Sequence, residues 1–443
     1  MQKIFRGIFL LIFLVVQTLC FRHNLLGVAE KGHFNRFART TESMIYARLA
    51  MSEKQGILSN GGVLLLDRSV PPDQQYNQQF LTYVIDLPIE KPVFYKSRPA
   101  LQPALFSLID RISPWKDTVN IKVFEWIASI ASALCMTYFL AWMLSALGWV
   151  PALITAMGIL LSPWLTVSGG HLFWMSGFFF LPFTWLAMRL HRMPVEQRAW
   201  VLVVPLALLF LLKNLFIGYE LITVSLVMCT IPVFYYAFRQ KWTLRRWLQR
   251  FIVVASALLL GLVFSVGVLL WQTSRIEGRQ RSGIEHLKER LLVRTTGTTN
   301  KPRASANVVA SRTASLKQTM DKYWSIPLLR LPRISRDGKP LFPQHVLSTK
   351  HLLLLGLILS LLGILIPTIR PLAVTTLISS LAPASWFLIF KAHSFLHPHL
   401  VPIAWYLPFA LLICALAGLW LKWAIARLCK SPAPLEPTQP VSS

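Results

Sequence analysis

About ten long apolar runs divide this chain of 443 residues, and each has the length and low charge of a membrane span. They lie near residues 4–20, 122–145, 150–167, 171–189, 199–215, 217–237, 251–272, 351–368, 371–390 and 400–425. Such runs must be helical, because lipid offers no hydrogen-bond partner to an open backbone. The sequence therefore predicts an all-α polytopic membrane protein with about ten transmembrane helices.

Two long polar segments separate these runs and predict two external loops. The predicted organisation is a first transmembrane helix at 1–20, an external loop with amphipathic helices at 21–121, transmembrane helices two to seven at 122–272, a basic external loop at 273–350, transmembrane helices eight to ten at 351–425, and a cytoplasmic tail at 426–443. We prefer an uncleaved first helix to a signal peptide, because residues 16–20 lack the small side chains that cleavage needs.

Short basic loops predict the orientation, since such loops stay on the cytoplasmic side. The strongest is 239–250, and the loop near 188–198, Arg370 and the residues after Lys422 fall on the same side if there are ten spans. Both termini are then cytoplasmic, and we expect a bacterial inner-membrane protein. The segment 273–350 has 16 Lys and Arg against 5 Asp and Glu, but the rule weakens for loops longer than about 60 residues.

The net charge of +27 accompanies 54% hydrophobic and only 14% charged residues. This composition excludes an ordinary soluble protein, and the basic clusters beside apolar runs are typical of contact with anionic lipid headgroups. The lipid bilayer is therefore an expected partner, and nucleic acid is not, because no recognition motif accompanies the charge. The five cysteines form no CxxC pair and lie in or at the ends of apolar runs, so neither a disulfide framework nor a zinc site is indicated.

A group of ionisable residues between the last two apolar runs marks a candidate working face. It comprises Lys391, His393, His397 and His399. Such side chains at the mouth of a helix bundle are costly unless they face water, a partner or a ligand. A divalent metal suits three histidines, but Pro398 interrupts the helical spacing that would align them, so no metal or cofactor is predicted.

The first external segment contains two stretches with apolar residues at helical spacing, 39–50 and 95–106. We predict that they form amphipathic helices along the membrane surface. The first carries Glu42, and the second begins with Lys96 and Arg98.

The order of these features resembles the GT-C class of integral-membrane glycosyltransferases, in particular its protein-mannosyltransferase-like and aminoarabinose-transferase-like members. In that class the first external loop often begins with Asp-Glu, then Tyr and Ala-x-x-Met, and residues 41–51 (Thr-Glu-Ser-Met-Ile-Tyr-Ala-Arg-Leu-Ala-Met) look similar. Lys-Ser-Arg-Pro-Ala-Leu at 96–101 echoes its Lys-Pro-Pro-Leu-type segment, and Ile-Leu-Leu-Ser-Pro-Trp at 159–164 resembles its third-span signature. Thr41 departs from the pattern, because it stands where the first acidic residue is usual.

The resemblance implies transfer of a sugar from a polyprenyl-phosphate carrier to an acceptor, which is a glycan, a lipid or a protein. Glu42 is then the candidate base that deprotonates the acceptor hydroxyl. Glu220 is a second catalytic candidate because a carboxylate at span depth is costly, with Lys213 as its expected partner. Cations that hold the leaving phosphate complete the site. The candidate substrate-binding residues are Lys96, Arg98, His171, Lys391, His393 and His397.

Three other functions remain open at this point. A transporter or flippase would show internal repeats and helices broken at mid-bilayer, and no repeat is found. A lipid-linked glycan ligase would carry a large basic loop late in the chain, as 273–350 does here. A non-enzymatic membrane assembly protein would use the basic residues only to contact lipid headgroups.

Overall fold

The computed structural model describes residues 2–37, 39–71, 73–194, 196–276, 282–297, 311–321, 323–331, 335–336, 339–340, 346–397 and 400–429. The described part of the chain is predominantly helical with almost no sheet, which confirms the all-α polytopic class. The last residues of the predicted tail, 430–443, lie outside the described ranges.

The helices up to the second long segment are α1 (Gln2–His23), α2 (Lys31–Phe37), α3 (Arg39–Gln55), α4 (Gln75–Val84), α5 (Gln102–Ile112), α6 (Asp117–Ala146), α7 (Trp149–Leu160), α8 (Pro163–Gly169), α9 (Phe180–Arg192), α10 (Val203–Ile217), α11 (Ile222–Arg239) and α12 (Leu244–Ser274). The later ones are α13 (Gly283–Thr296), α14 (Leu316–Asp321), α15 (Thr349–Ile364), α16 (Arg370–Ser379), α17 (Leu381–Ile389), α18 (Lys391–Leu396), α19 (Val401–Tyr406) and α20 (Phe409–Leu428).

The described strands form three small antiparallel pairs. β1 (Leu64–Asp67) pairs with β2 (Pro92–Tyr95), β3 (Pro327–Arg330) with β6 (Val346–Ser348), and β4 (Ser335–Arg336) with β5 (Lys339–Pro340). The first pair matters for the site, because it anchors the segment that carries Lys96 and Arg98 immediately after β2.

Seven described helices are long and apolar enough to cross a membrane, and the number is eight if the bent pair α7–α8 counts as one span. Fewer spans are found than the ten predicted, because some of the predicted spans are shorter helices and turns in the structure. The predicted span 171–189 is a turn, a 3₁₀ turn and the 13-residue α9, and the predicted span 351–368 is the 16-residue α15. The predicted span 400–425 begins only at Phe409, because α19 is a separate short helix.

The short basic connections gather at one end of the bundle, which we call the basic-loop end. There Arg239 donates to the carbonyl of Ala146 at 2.6 Å, and Lys422 donates to that of Leu147 at 3.4 Å. The first half of α1 belongs to this end too, because the ring of Phe9 packs against Trp149. The start of α1 and the end of α20 therefore both lie at the basic-loop end. The prediction that the two termini lie on one side of the membrane requires this arrangement. Which side of the membrane this end faces stays a prediction.

The two long segments cover the opposite end, which we call the long-loop end. Its centre is α3, where residues 42–52 are all buried, so this helix is enclosed on every side rather than laid along the membrane. Arg48 holds the layer together, because its buried guanidinium donates to the carbonyls of Gly56, Ile57 and Ser59 at 3.1, 3.1 and 2.7 Å.

The second predicted amphipathic helix begins later than expected, because residues 92–95 form β2 and α5 starts only at Gln102, after Lys96 and Arg98. The apolar face of α5 is exposed, as the sequence predicts. Leu105, Leu108 and Ile112 share one side of the helix and are exposed, and Trp115 follows just after its end. Since α5 leads directly into the long helix α6, this face suits the membrane interface, where aromatic and aliphatic side chains favour the boundary between lipid and water.

The two ends should label from opposite sides of the membrane. We expect a membrane-impermeant maleimide to reach Asp73→Cys and Lys241→Cys from opposite sides of sealed vesicles, because both positions are exposed and lie at opposite ends of the bundle. The background variant is Cys429→Ser, since Cys429 is exposed and the other four cysteines are buried. Labelling of both introduced thiols from the same side would contradict this arrangement.

Candidate functional site

Glu220 lies in a tight turn between α10 and α11 at the long-loop end. Gly218 in this turn has a φ of 77°, a conformation that favours glycine. It also contacts Arg98 so closely that a Cβ at position 218 would overlap the Arg98 side chain. The turn therefore requires glycine at position 218 for two reasons, its backbone conformation and its contact with Arg98. The turn brings Glu220 beside the segment that follows β2.

An arginine and a histidine from distant parts of the chain bind the two carboxylate oxygens of Glu220. Arg294 Nη2 of α13 lies 2.6 Å from Oε1, and His393 Nε2 of α18 lies 2.9 Å from Oε2. Glu220 and His393 are 5% and 7% exposed, so the network is nearly closed to solvent. Because the partner is a carboxylate, Nε2 of His393 is assigned as the protonated nitrogen.

The charge state of Glu220 follows from these neighbours. Burial alone would raise its pKa, but Arg294, His393 and His397 together hold the pKa well below its usual value. Glu220 is therefore a stable carboxylate with both oxygens engaged. Such a group is a weak base, so the geometry favours a positioning role over the catalytic role that the sequence suggested.

Arg98 is the second arginine of this region and is completely buried. Its Nη2 donates to the carbonyls of Phe173, at 3.1 Å, and Phe216, and its guanidinium lies 4.0 Å from the centre of the Phe173 ring. Its Nε and Nη1 have no hydrogen-bond partner within the part of the chain that the structure describes. Burial lowers its pKa to about 10, so it remains positively charged at neutral pH.

Lys213 does not pair with Glu220, contrary to the expectation from the sequence. Its ammonium donates instead to Asn214 Oδ1 at 3.1 Å and to the carbonyl of Gly218 at 3.4 Å. Arg294 takes the expected place because α13 reaches the same turn from outside the bundle. Lys213 still lies close enough to interact electrostatically with Glu220.

The other predicted binding residues are only partly brought together. The ring of His397 packs against that of His393 at 4.3 Å, so His397 belongs to the cluster. Lys96 lies beside His286 of α13 and not at Glu220. Lys391 begins α18 and is half-buried, and no described residue forms a hydrogen bond or ion pair with its ammonium. His399 lies outside the described residues.

Glu42 forms a second cluster, in which it accepts hydrogen bonds from α3 and the 170–175 loop. Its Oε1 accepts the backbone N–H of Leu172 at 2.8 Å, and its Oε2 accepts the hydroxyl of Tyr46 at 3.5 Å. Glu42 is 3% exposed. Burial raises its pKa to about 8, although the Leu172 N–H works in the opposite direction.

His171 lies next to Glu42 but does not form an ion pair with it. Its Nδ1 is 3.4 Å from Glu42 Oε1, yet the same nitrogen accepts the N–H of Phe173 at 3.0 Å and so carries no proton. Its Nε2 lies 3.0 Å from Thr41 Oγ1 and is assigned the proton. Burial lowers the pKa of His171 to about 3, so the ring is neutral.

One loop joins the two clusters. The N–H of Leu172 binds Glu42, and the carbonyl of the next residue, Phe173, binds Arg98. Arg98 in turn acts electrostatically on both His171 and Glu220. Glu220 and His393 therefore meet directly, while Glu42 belongs to a neighbouring cluster connected through His171–Phe173.

The sequence did not single out Arg294 among the many basic residues of 273–350. A local signal was present, since Ser282 and Glu285 form a capping box at the start of α13 and Gly297 ends the helix in a left-handed conformation. These signals define a helix, but they do not indicate which of its basic side chains turns inward.

An acidic group with metal-like spacing occurs away from both clusters. Ligand atoms of Glu53, Asp110 and Asp117 lie within 4.8 Å of one another, and the group is partly exposed. Asp110 already accepts hydrogen bonds from Tyr83 and, at 2.7 Å, from Asn120 Nδ2. Burial, then Asp110, raises the pKa of Glu53 to about 8, so a shared proton relieves the repulsion.

Comparison with models of known protein families, with curated proteins and with solved structures finds no match to this chain. The resemblance to GT-C glycosyltransferases therefore remains an expectation from the sequence.

The raised pKa of Glu42 predicts a specific dependence of stability on pH. Between about pH 4.5 and pH 8 the native state binds a proton that the unfolded chain has released, so the free energy of unfolding falls as pH rises. Glu42→Gln removes this proton uptake. We expect the Tm of the variant, relative to wild type, to increase steadily from pH 5 to pH 8.5 in detergent. A difference that stays constant, matching the exposed control Asp73→Asn, would show that the pKa of Glu42 is not raised.

Proposed function

We propose that this protein is a membrane glycosyltransferase that moves a sugar from a polyprenyl-phosphate carrier to an acceptor at the long-loop end. The observation that supports the proposal is the excess of positive charge around Glu220. Two segments far apart in sequence contribute to it, through Arg98 and Arg294, and His393 adds a neutral hydrogen-bond donor because burial lowers its pKa. A membrane-anchored phosphate is the anion that would be found at this end of a helix bundle.

The charges around Glu220 favour an anionic ligand. Arg98 and Arg294 are permanent cations, whereas Glu220 is a single carboxylate, and Lys213 lies nearby. Attraction between a phosphate and this excess of cations is strong where water is largely excluded. The same cations would stabilise the negative charge that develops on the carrier phosphate as the sugar departs.

Glu42 suits the role of the base. A base works best when its pKa lies near the working pH, and burial raises the pKa of Glu42 to about 8. The weaker of its two hydrogen bonds, the 3.5 Å contact with Tyr46, is the one that an acceptor hydroxyl would replace. Glu220 would then hold Arg294 and His393 in place for the carrier phosphate.

The bent pair α7–α8 is the one feature in the described chain that a transporter would also show. In transporters the start of such a half-helix binds the substrate. Here the start of α8 is already capped, because Ser162 Oγ accepts the N–H of Leu165 at 3.0 Å. The adjoining Trp164 donates to the carbonyl of Pro327 at 2.7 Å. The bend therefore anchors the β3 segment, and the transferase is the better-supported function.

Glu42→Gln should abolish sugar transfer while carrier binding persists, because the change removes the base and leaves the cations around Glu220 in place. The wild-type or variant gene would be expressed in cells of the source organism from which the native gene has been deleted, and membranes would be prepared from these cells. A panel of labelled polyprenyl-phosphate monosaccharides then reports transfer to membrane acceptors, and retention of the labelled carrier by the purified protein reports binding. We expect transfer to fall at least about a hundredfold, the usual contribution of a general base.

The matched control is Glu53→Gln, which makes the same substitution at another carboxylate of α3. It should leave transfer within about twofold of wild type. Full transfer by Glu42→Gln would remove Glu42 from the mechanism. Absence of both transfer and carrier binding in wild type, for every donor in the panel, would overturn the proposed function.

A further inference from the structure

A cavity lies at the basic-loop end, away from the clusters of Glu42 and Glu220. It has a volume of about 550 Å³, is partly open, and lies between the ends of α6, α11 and α20 and the start of α16. Its wall is largely apolar and includes Leu147, Ile369, Leu372 and Leu419. The size lies within the range of ligand pockets and would hold a lipid headgroup with its glycerol.

Two cations line this cavity, and none of its described lining residues is acidic. They are Arg239 and Lys422, and both are exposed. Arg239 uses one nitrogen, Nη1, for its hydrogen bonds to the Ala146 carbonyl and the Tyr235 hydroxyl. Lys422 makes one long hydrogen bond of 3.4 Å to Leu147. Both side chains therefore keep N–H donors for an anion.

The mouth of the cavity adjoins the face of α20 that would contact acyl chains. Leu421 and Ile425 on this helix are each 46% exposed, and Trp423 lines the cavity beside them. The guanidinium of Arg427 lies 5.2 Å from the centre of the Trp423 ring, at the same end of α20. Basic and aromatic side chains at a lipid-facing helix end are suited to a headgroup.

We propose that this cavity binds one anionic phospholipid, with its phosphate between Arg239 and Lys422 and its glycerol and first acyl carbons against the apolar wall. The match of charge identifies the headgroup class, and the apolar wall distinguishes a lipid from a free phosphate. Because the cavity is bounded by α6, α11, α16 and α20, a bound lipid would hold together the ends of four helices from the first and last parts of the bundle.

A simpler explanation is that Arg239 and Lys422 only satisfy the last carbonyls of α6, since cations are favourable at a helix C-terminus. This explanation predicts that substitution of Lys422 changes stability equally with and without lipid. The proposal predicts a change that depends on the lipid, so the two can be separated in one titration.

The test is a titration of the detergent-solubilised full chain with phosphatidylglycerol, followed by thermal unfolding. We expect the Tm of wild type to rise with lipid concentration, because a ligand that binds only the folded state stabilises it. Lys422→Gln should raise the apparent dissociation constant about fivefold, the effect of one basic side chain near a headgroup. The matched control Lys241→Gln, an exposed lysine of the same end outside the cavity, should leave it unchanged.

A second variant tests the volume of the cavity without removing a charge. Thr368→Trp places a large ring at an exposed lining position and should abolish the shift. Phosphatidylcholine and inorganic phosphate should each produce little or no shift, the first for lack of net charge and the second for lack of acyl chains. An equal shift with either probe, or an unchanged titration for Lys422→Gln, would overturn the proposal.

Discussion

The buried carboxylate of Glu220 is the interaction on which the arrangement of the long-loop end depends. A charge at this depth is costly unless it is paired and hydrogen-bonded. Its two partners come from segments far apart in sequence, Arg294 from the 273–350 region and His393 from the region between the last spans. Pairing of this one carboxylate therefore holds α13 and α18 against the turn at Gly218, and the same contacts place Arg294 and His393 beside the turn.

The hydrophobic pattern was enough to predict the all-α membrane class and the positions of most helices, because lipid imposes helical structure on long apolar runs. It overestimated the length of 171–189 and 400–425, where apolar residues belong to turns and short helices enclosed by protein. The helix α3 shows a similar limit. Its pattern was typical of an amphipathic surface helix, yet tertiary packing buries residues 42–52 on all sides.

The candidate site was predictable in part, and the reason is physical. His393 and Glu220 stood out because ionisable groups beside apolar runs are costly, and they meet at 2.9 Å. Arg294 did not stand out, because basic residues are common in its segment and only three-dimensional packing selects one. Lys96, Lys391 and His171 lie at the long-loop end, but Lys96 adjoins His286 in the segment between β2 and α5, and His171 is held by Thr41 and Phe173.

The most direct test of the account is a double-mutant cycle on the Glu220–Arg294 pair, measured as the free energy of unfolding in detergent or mixed micelles. Each of Glu220→Gln and Arg294→Gln should cost about 3 kcal/mol, because each leaves a buried charge without its partner. The double variant should cost less than the sum by about 1–3 kcal/mol, as expected for residues in contact. Costs that add to within about 0.5 kcal/mol would contradict the claim that Glu220 organises this end of the protein.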